Sequence, residues 1–245
     1  MLDEIEIREF KKLNLNDATV IDGLPSIGLV NTIAANYLVA SLNLDQIAAL
    51  ESPHFPALSM VYAYKPKFPA RIYASEKFKI AVFLSEFRIL PKLYRPLTNV
   101  LFNWTKEQNC SLIISPVEWS IETFPVNKEK PVVTCVGSTD RAREKLTLKE
   151  IKQLEFGAIP GISGLLLNEG RWSNFDVMSL MVPVHPKMPD VQAAVKAVEV
   201  INKLIPEIEI DIASLYQEAE KIEDKLKTLH KQAKPGATEP PGVYS

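Results

Sequence analysis

The sequence of 245 residues predicts an α/β layered domain over residues 1–232, followed by a short tail over residues 233–245. Apolar strand candidates alternate along the chain with segments of helical periodicity. The candidate strand ATVIDGL leads through a glycine-containing turn into the candidate helix VNTIAANYLVASLN, which is a common opening of an α/β unit. The tail begins AKPGATEPPG, a composition that cannot bury a core, so we expect a flexible or extended tether there.

Apolar patterning in the first half of the chain predicts strands on either side of this helix. Residues 59–64 (SMVYAY) and 70–76 (ARIYASE) alternate apolar and polar side chains, which predicts a half-buried hairpin. Residues 79–87 (KIAVFLSEF) are mostly apolar, as expected for a strand covered on both faces. A helix is predicted in KLYRPLTNVLFNWTKEQN, where Pro96 is close enough to the start to be tolerated. Further strands are predicted at residues 4–10, 18–24 and 46–52.

The second half of the chain continues the same alternation. SLIISPVEW, PVVTCVGST and VMSLMVPV are predicted strands, and the charged stretch at residues 139–156 is helix-like. Residues 189–205 show an amphipathic pattern, with Asp190 placed to cap the N-terminus of the helix. The last predicted helix, residues 211–232, is long for a local helix, so we expect part of its apolar stripe to contact another subunit.

Charge and hydropathy exclude several classes of partner. The formal net charge of −2 gives no sign of binding to nucleic acid or to an anionic membrane. No apolar run reaches the length that spans a bilayer. The start MLDEIEIREF is acidic and amphipathic, unlike a signal peptide. We therefore expect a cytoplasmic protein that binds neither nucleic acid nor membrane.

Cysteine and histidine placement does not suggest a metal site. Cys110 and Cys135 each lie in an apolar, strand-like stretch, which favours buried thiols over metal ligands. The sequence leaves open whether their strands approach closely enough for a disulfide. His54, His185 and His230 lie in separate segments, without a metal-ligand partner at short spacing. We expect no metal and no cofactor.

A search for catalytic motifs finds only weak candidates. The turn GLPSIGLV lacks the glycine spacing of a dinucleotide site, and the chain has neither a GxxxxGK[ST] phosphate loop nor a GxSxG elbow. Ser163 stands between Gly161 and Gly164, one residue short of that elbow. A glycine-flanked serine is more often part of a tight turn than a nucleophile, so we expect these glycines to let the backbone turn closely before the following leucines.

Four carboxylates lie near the ends of predicted strands or in the loops after them: Asp22, Glu86, Glu118 and Glu169. Strand ends are where sites gather in α/β sheets, which makes these residues candidates. The more economical interpretation is that they are solvated or capping carboxylates.

The stretch YKPKFPARIYASEKFK combines basic and aromatic residues, with a single acidic residue, Glu76, among them. Basic side chains that alternate with aromatic ones can bind nucleic acid, since the rings stack on bases and the cations pair with phosphates. One short patch on an acidic protein gives that idea little support, so a solvated hairpin or the charged rim of a protein interface is favoured. The cations concerned are Lys65, Lys67, Arg71, Lys77 and Lys79.

Three stretches, taken in order, resemble the proteasome assembly chaperone family: DGLPSIGLVNTIAANYLV, GAIPGISGLLLNEG and MPDVQAAVKAVEVINKL. Over about residues 15–230 the chain is similar to an archaeal homologue of those chaperones. The family's glycine-rich pattern near the start is met at Gly23, Pro25, Gly28 and Val30, whereas Ser26 and Asn31 stand where glycine is common. The later patterns are met at Gly161, Ser163, Gly164, Leu165, Leu166, Pro189, Asp190, Ala193 and Ala194.

The resemblance implies a three-layer α/β/α sandwich akin to the nucleoside phosphorylases but without their catalysis. It also implies a function for the tail, because proteasome activators and some assembly chaperones end in a hydrophobic residue, a tyrosine and any third residue. Val243, Tyr244 and Ser245 match that ending. The implied protein is an assembly chaperone or ATP-independent activator, which binds proteasome core particle α subunits as a homo-oligomer or together with a related chaperone subunit.

A hydrolase or phosphorylase-like enzyme is the alternative. Its pocket would be formed by the two glycine-containing loops, at Gly23, Pro25, Gly28, Gly161, Ser163 and Gly164. The sequence shows no nucleophile–base pair, phosphate loop or metal cluster to equip such a pocket. A binding protein without catalytic residues is therefore the favoured expectation.

Overall fold

The computed structural model describes residues 5–25, 29–62, 64–120, 132–184 and 191–211, and also 214, 215, 221, 222, 224, 225 and 228. Within these residues the strands are β1 Glu6–Glu9, β2 Thr19–Gly23, β3 Asp45–Glu51, β4 Met60–Tyr62, β5 Lys65–Lys67, β6 Ala70–Ser75, β7 Ile80–Ser85, β8 Leu112–Ser120, β9 Thr134–Gly137 and β10 Asp176–Val184. The helices are α1 Val30–Ser41, α2 Tyr94–Glu107, α3 Asp140–Leu148, α4 Gly161–Ser173 and α5 Val191–Leu204.

Eight strands form one mixed sheet in the order β1-β3-β6-β7-β2-β8-β10-β9. Its centre is parallel, because β2 pairs in parallel with β7 and β8, and β8 pairs in parallel with β10. The outer strands are added antiparallel: β6, β3 and β1 on one side and β9 on the other. The C-terminal ends of β7, β2, β8 and β10 therefore meet along one border of the sheet, which we call the carboxyl edge.

Helices cover both faces of the sheet. The strand β7 shows why, since Ile80, Val82 and Leu84 contribute to a core shared with α1, α3 and α5. Ala81 and Phe83 point the other way, into a core shared with α2 and α4. A central strand that is apolar on both faces needs a helical layer on each. The predicted three-layer α/β/α architecture is confirmed, whereas the likeness to nucleoside phosphorylases stays a prediction.

The predicted hairpin between residues 59–64 and 70–76 is wrong. β4 pairs with β5 in a separate two-stranded sheet, and β6 lies inside the main sheet between β3 and β7. The polar residue that suggested a solvated face of β6 is Arg71, which is 1% exposed and paired with Glu86. The alternating pattern therefore comes from a buried ion pair and not from exposure to solvent.

The charged stretch at residues 139–156 is helical only as far as Leu148. After this point the chain runs beside β9, where Cys135 donates its backbone N–H to the carbonyl of Lys152 and accepts one from the N–H of Leu154. Backbone pairing with a sheet edge has replaced the helix that composition favoured. The predicted long helix at residues 211–232 lies largely outside the described residues, as do Pro189, Asp190, His185 and His230.

Both thiols are buried, as predicted. Cys135 belongs to the core on the α1 face of the sheet and Cys110 to the core on the α2 face. The sheet therefore separates them, which answers the open question of a disulfide. Burial raises the pKa of each thiol to about 12. In the described part of the chain, no helix is long and apolar enough to cross a membrane.

Candidate functional site

The two glycine-containing loops meet at the carboxyl edge. β2 ends at Gly23 and continues into a buried Leu24 and Pro25, while α4 begins at Gly161. The serine of the second loop, Ser163, reaches β8, the strand next to β2. Gly28 lies outside the described residues, as do Val243, Tyr244 and Ser245. The structure thus brings the predicted loops together without describing the whole first loop.

Asp22 is the charged centre of this region. Its Oδ2 accepts a hydrogen bond of 2.7 Å from Ser115 Oγ, and its Oδ1 accepts one of 3.1 Å from the backbone N–H of Leu24. Burial raises the pKa of Asp22 to about 6, and these two hydrogen bonds oppose the rise. The prediction of a solvated carboxylate is therefore wrong for this residue, because Asp22 is 1% exposed and both of its carboxylate oxygens accept hydrogen bonds inside the protein.

Ser163 connects Ser179 to the strand residue that bonds Asp22. Its Oγ lies 2.7 Å from Ser179 Oγ on β10 and donates a hydrogen bond of 3.2 Å to the carbonyl of Ser115. Asp22, Ser115, Ser179 and Ser163 thus form one connected polar cluster across β2, β8, β10 and α4, and all four residues are buried. We call it the Asp22 cluster. Sequence reasoning missed Ser115 and Ser179; the signal was a hydroxyl residue inside an apolar stretch of each of two strands.

Gly23 and Gly164 allow the close packing around this cluster. A Cβ on Gly23 would lie 2.3 Å from Ala35 Cβ and 2.6 Å from the carbonyl oxygen of Phe83. A Cβ on Gly164 would lie 2.0 Å from the carbonyl oxygen of Ile159. Both distances are far below van der Waals contact, so the glycines are required by tight backbone approach. This confirms the expected close approach for Gly164, while a Cβ on Gly161 would meet nothing within 4 Å, and Gly161 instead has the left-handed φ of 72° that favours glycine.

Glu118 caps the first helix from a neighbouring strand. Its Oε1 accepts a hydrogen bond of 2.6 Å from the backbone N–H of Val30, the first residue of α1. A carboxylate at this position satisfies a free helix donor and complements the helix dipole. The residue before, Leu29, has a left-handed conformation with φ 68°, which directs the chain from the loop into the helix. The expectation of a capping carboxylate holds for Glu118.

The second buried carboxylate, Glu86, lies just beyond the end of β7. Its Oε1 accepts a hydrogen bond from the guanidinium of Arg71 and one of 3.2 Å from the hydroxyl of Tyr62. Burial raises the pKa of Glu86, and the charge of Arg71 opposes the rise. Glu86 is therefore buried and not solvated. It holds the β4–β5 hairpin and β6 to the centre of the sheet.

These arrangements are better suited to structure than to catalysis. Ser163 Oγ bonds to a hydroxyl and a carbonyl, and neither of these described partners is a base that could take its proton. The two cavities described below are lined by none of the four residues of the Asp22 cluster. Among the described residues, no group of three His, Cys, Asp or Glu side chains is placed to hold a metal ion.

A groove of about 780 Å³ lies between the loop after β3 and the β4–β5 hairpin. Its walls are rich in proline and phenylalanine, with Pro53, Phe55, Pro56, Pro66, Phe68 and Pro69 among them. On the same hairpin Val61 is 65% exposed, and Tyr64, just after β4, is fully exposed. Exposed apolar and aromatic side chains beside a groove are typical of protein-contact surfaces.

The sequence and the structure of this chain are similar to those of several known proteins. The model of the PAC2 family matches residues 20–230. The structure of Pyrococcus furiosus PbaA, an archaeal homologue of proteasome-assembly chaperone, superposes with a TM-score of 0.81 at 28% identity, covering 94% of this chain and 97% of that one. Pyrococcus furiosus PbaB, an archaeal proteasome activator, superposes with a TM-score of 0.74 at 22% identity, covering 93% and 99%. A Methanocaldococcus jannaschii protein without an assigned function is 26% identical over 232 residues, covering 95% of this chain and 93% of that one.

Proposed function

Because this chain belongs to the PAC2 family, we propose that it is a proteasome assembly chaperone homologue or an ATP-independent activator that binds the α ring of the proteasome core particle. The observation that carries the proposal is the similarity to PbaA, which extends over nearly the whole of both chains. In this proposal residues 1–232 are the folded body, and residues 233–245 are a tether that ends in the binding element.

The terminal residues Val243, Tyr244 and Ser245 are the proposed binding element. The terminal carboxylate is a fixed negative charge, which a lysine in a pocket can pair with. The valine side chain and the tyrosine ring can be buried between two neighbouring α subunits, while the phenol forms a hydrogen bond at the border of the pocket. Pro240 and Pro241 stiffen the approach and lower the entropy lost on binding.

A single tail of this kind binds weakly, so the proposal includes a cytoplasmic homo-oligomer, alone or with a related chaperone subunit. Several tails attached to one oligomer bind with avidity when the tethers can reach their pockets. Tails inserted between α subunits stabilise the contact between those subunits. The same insertion can also favour an open gate, so assembly and activation share one physical basis.

The alternative of a hydrolase or phosphorylase-like enzyme gains little from the geometry. Of the loop residues that would form its pocket, Ser163 belongs to the Asp22 cluster and Gly23 directly follows Asp22, and the members of this cluster are buried and bonded to one another. A catalytic hydroxyl has to reach a substrate and a base. We therefore propose a structural role for Gly23, Gly161, Ser163 and Gly164 rather than a catalytic one.

Co-migration on native gels tests the proposal. Purified full-length protein is mixed with purified archaeal core particle and compared with a chain that lacks Val243, Tyr244 and Ser245. We expect a shifted core-particle band with the full-length chain and none with the shortened chain. Thr238→Ala, a change in the same tail outside the terminal motif, is the matched control and should shift the band as the unaltered protein does.

A fourth chain, extended by one glycine after Ser245, separates the contribution of the carboxylate from that of the side chains. It keeps the valine and the tyrosine but moves the terminal charge, so we expect the shift to be lost. A shift that survives removal of all three residues would show that the folded body recognises the core particle. A failure of every chain to shift the band would refute the proposed partner.

A further inference from the structure

A second cavity, of about 300 Å³, lies on the α1 face of the sheet. It is lined by residues of α1, β6, β7 and the β4–β5 hairpin, and by Lys221, Ile222 and Lys225 near the C-terminus. Four of its described lining residues are cationic: Lys67, Arg71, Lys221 and Lys225. No carboxylate is among the lining residues that the structure describes. The described lining is therefore positive even though Arg71 is paired with Glu86, whereas the protein as a whole is slightly acidic.

Arg71 is built into the wall of this cavity. It is 1% exposed, and its guanidinium donates to Glu86 and to the backbone carbonyl of Phe68. Its Nε–H is buried and finds no hydrogen-bond acceptor among the described residues. A buried donor of a charged group that lacks an acceptor is costly, so an acceptor at this position would stabilise the protein.

Glu86 offsets the charge of Arg71 but not the charges of the lysines. Lys67 Nζ lies 3.3 Å from the hydroxyl of Tyr73 and 5.5 Å from the centre of its ring, which hold it beside Arg71 without neutralising it. Neither Lys221 nor Lys225 forms a salt bridge with a carboxylate in the described part of the chain. Lys221 and Lys225 are exposed and Lys67 is half-buried, and a bound anion would reduce the repulsion between their like charges.

The aromatic side chains keep the cationic wall in place. The rings of Tyr62 and Tyr73 each lie 5.7 Å from the Cζ of Arg71, a distance at which a guanidinium is attracted to a ring face. The hydroxyl of Tyr62 is fixed by Glu86 at 3.2 Å. The wall formed by β6 and the hairpin is therefore preorganised, which lowers the cost of binding.

We propose that this cavity binds a small polyvalent anion of the phosphate type. A volume of about 300 Å³ suits a small molecule and is too confined for a folded protein segment. Lysine ammonium groups are common phosphate ligands, and several of them share the charge of one polyvalent anion. A bound anion would also connect Lys221 and Lys225 to the β4–β5 hairpin. The protein should therefore become more stable when the anion is present.

Isothermal titration of the full-length protein with inorganic pyrophosphate, at an ionic strength held constant with sodium chloride, tests this inference. The test variants are Lys221→Gln with Lys225→Gln, and separately Lys67→Gln. The matched control is Lys12→Gln with Lys92→Gln, which removes the same charge from two exposed lysines outside the cavity. Melting temperatures without pyrophosphate check that every variant is folded.

We expect saturable binding at one site per chain, equal in the unaltered protein and in the control. Both cavity variants should bind at least about tenfold more weakly, because charge-assisted contacts are lost. Absence of saturable binding to the unaltered protein would overturn the inference. Equal weakening by the cavity and control variants would also overturn it, since that result indicates attraction by overall charge. If the double variant does not fold, Lys67→Gln alone decides between these outcomes.

Discussion

Replacing Arg71 by methionine tests whether the ion pair with Glu86 holds the hairpin and β6 to the sheet. The substitution fills a similar volume but leaves a buried carboxylate without its cation. Removing one partner of a buried ion pair costs about 3–5 kcal/mol of the free energy of unfolding. The hydrogen bond from Tyr62, at 3.2 Å, offsets only a small part of this loss, because a neutral donor cannot balance a charge.

The pH dependence of that loss follows from the raised pKa of Glu86. Burial raises this pKa and Arg71 opposes the rise, so the methionine variant should have a still higher pKa at this carboxyl. A folded-state pKa above the unfolded value means that the folded state binds the extra proton. Stability is then lost as the pH rises through that range. The variant should therefore be closer to the unaltered protein in mild acid than at neutral pH.

Urea denaturation followed by circular dichroism measures these differences at a fixed protein concentration. A double variant, Arg71→Met with Glu86→Leu, removes both charges. Its free energy of unfolding should be at least about 2 kcal/mol higher than that of Arg71→Met alone. Arg8→Met is the matched control. It breaks the exposed pair between Arg8 and Glu51, whose atoms lie 2.7 Å apart, and should cost less than about 1 kcal/mol. The reasoning is refuted if Arg71→Met costs no more than Arg8→Met.

Three further predictions concern the buried polar and small residues. The pKa of Asp22, about 6, lies above its ordinary value, so the unaltered protein should lose about 2 kcal/mol of unfolding free energy as the pH rises from about 4.5 to about 7. Asp22→Asn should abolish this loss, which urea titrations at the two pH values can measure. Gly164→Ala should lower stability by about 1–3 kcal/mol, because the added methyl group meets a backbone carbonyl, whereas Gly157→Ala meets only a leucine side chain and should cost less in the same titration. Cys110 and Cys135 should resist iodoacetamide in the native protein and react in urea, as mass spectrometry can count.

Sequence patterns predicted the layers of the fold well, because apolar periodicity depends mainly on which faces are covered. The strand at residues 79–87 was recognised as covered on both faces, and helices do cover both faces of β7. The error at residues 70–76 has a specific cause. Arg71 interrupts an apolar pattern in the way a solvent-facing residue does, and only the position of Glu86 shows that the charge is neutralised inside the protein.

The candidate site was predictable in its loops but not in its internal bonds. Gly23 and the residues around Ser163 were identified because each belongs to a short motif of neighbouring residues. Ser115 and Ser179 gave only the faint signal of hydroxyls in apolar strands. Their pairing with Asp22 and Ser163 depends on the strand order β2-β8-β10, which local sequence does not specify. Long-range register therefore decides which polar residues meet.

The measurement that tests the central claim most directly is an electron cryomicroscopy map of the full-length protein bound to the proteasome core particle. The account predicts density for Val243, Tyr244 and Ser245 in pockets between neighbouring α subunits, with the terminal carboxylate beside a lysine. A map in which the folded body contacts the α ring while those pockets are empty would contradict it.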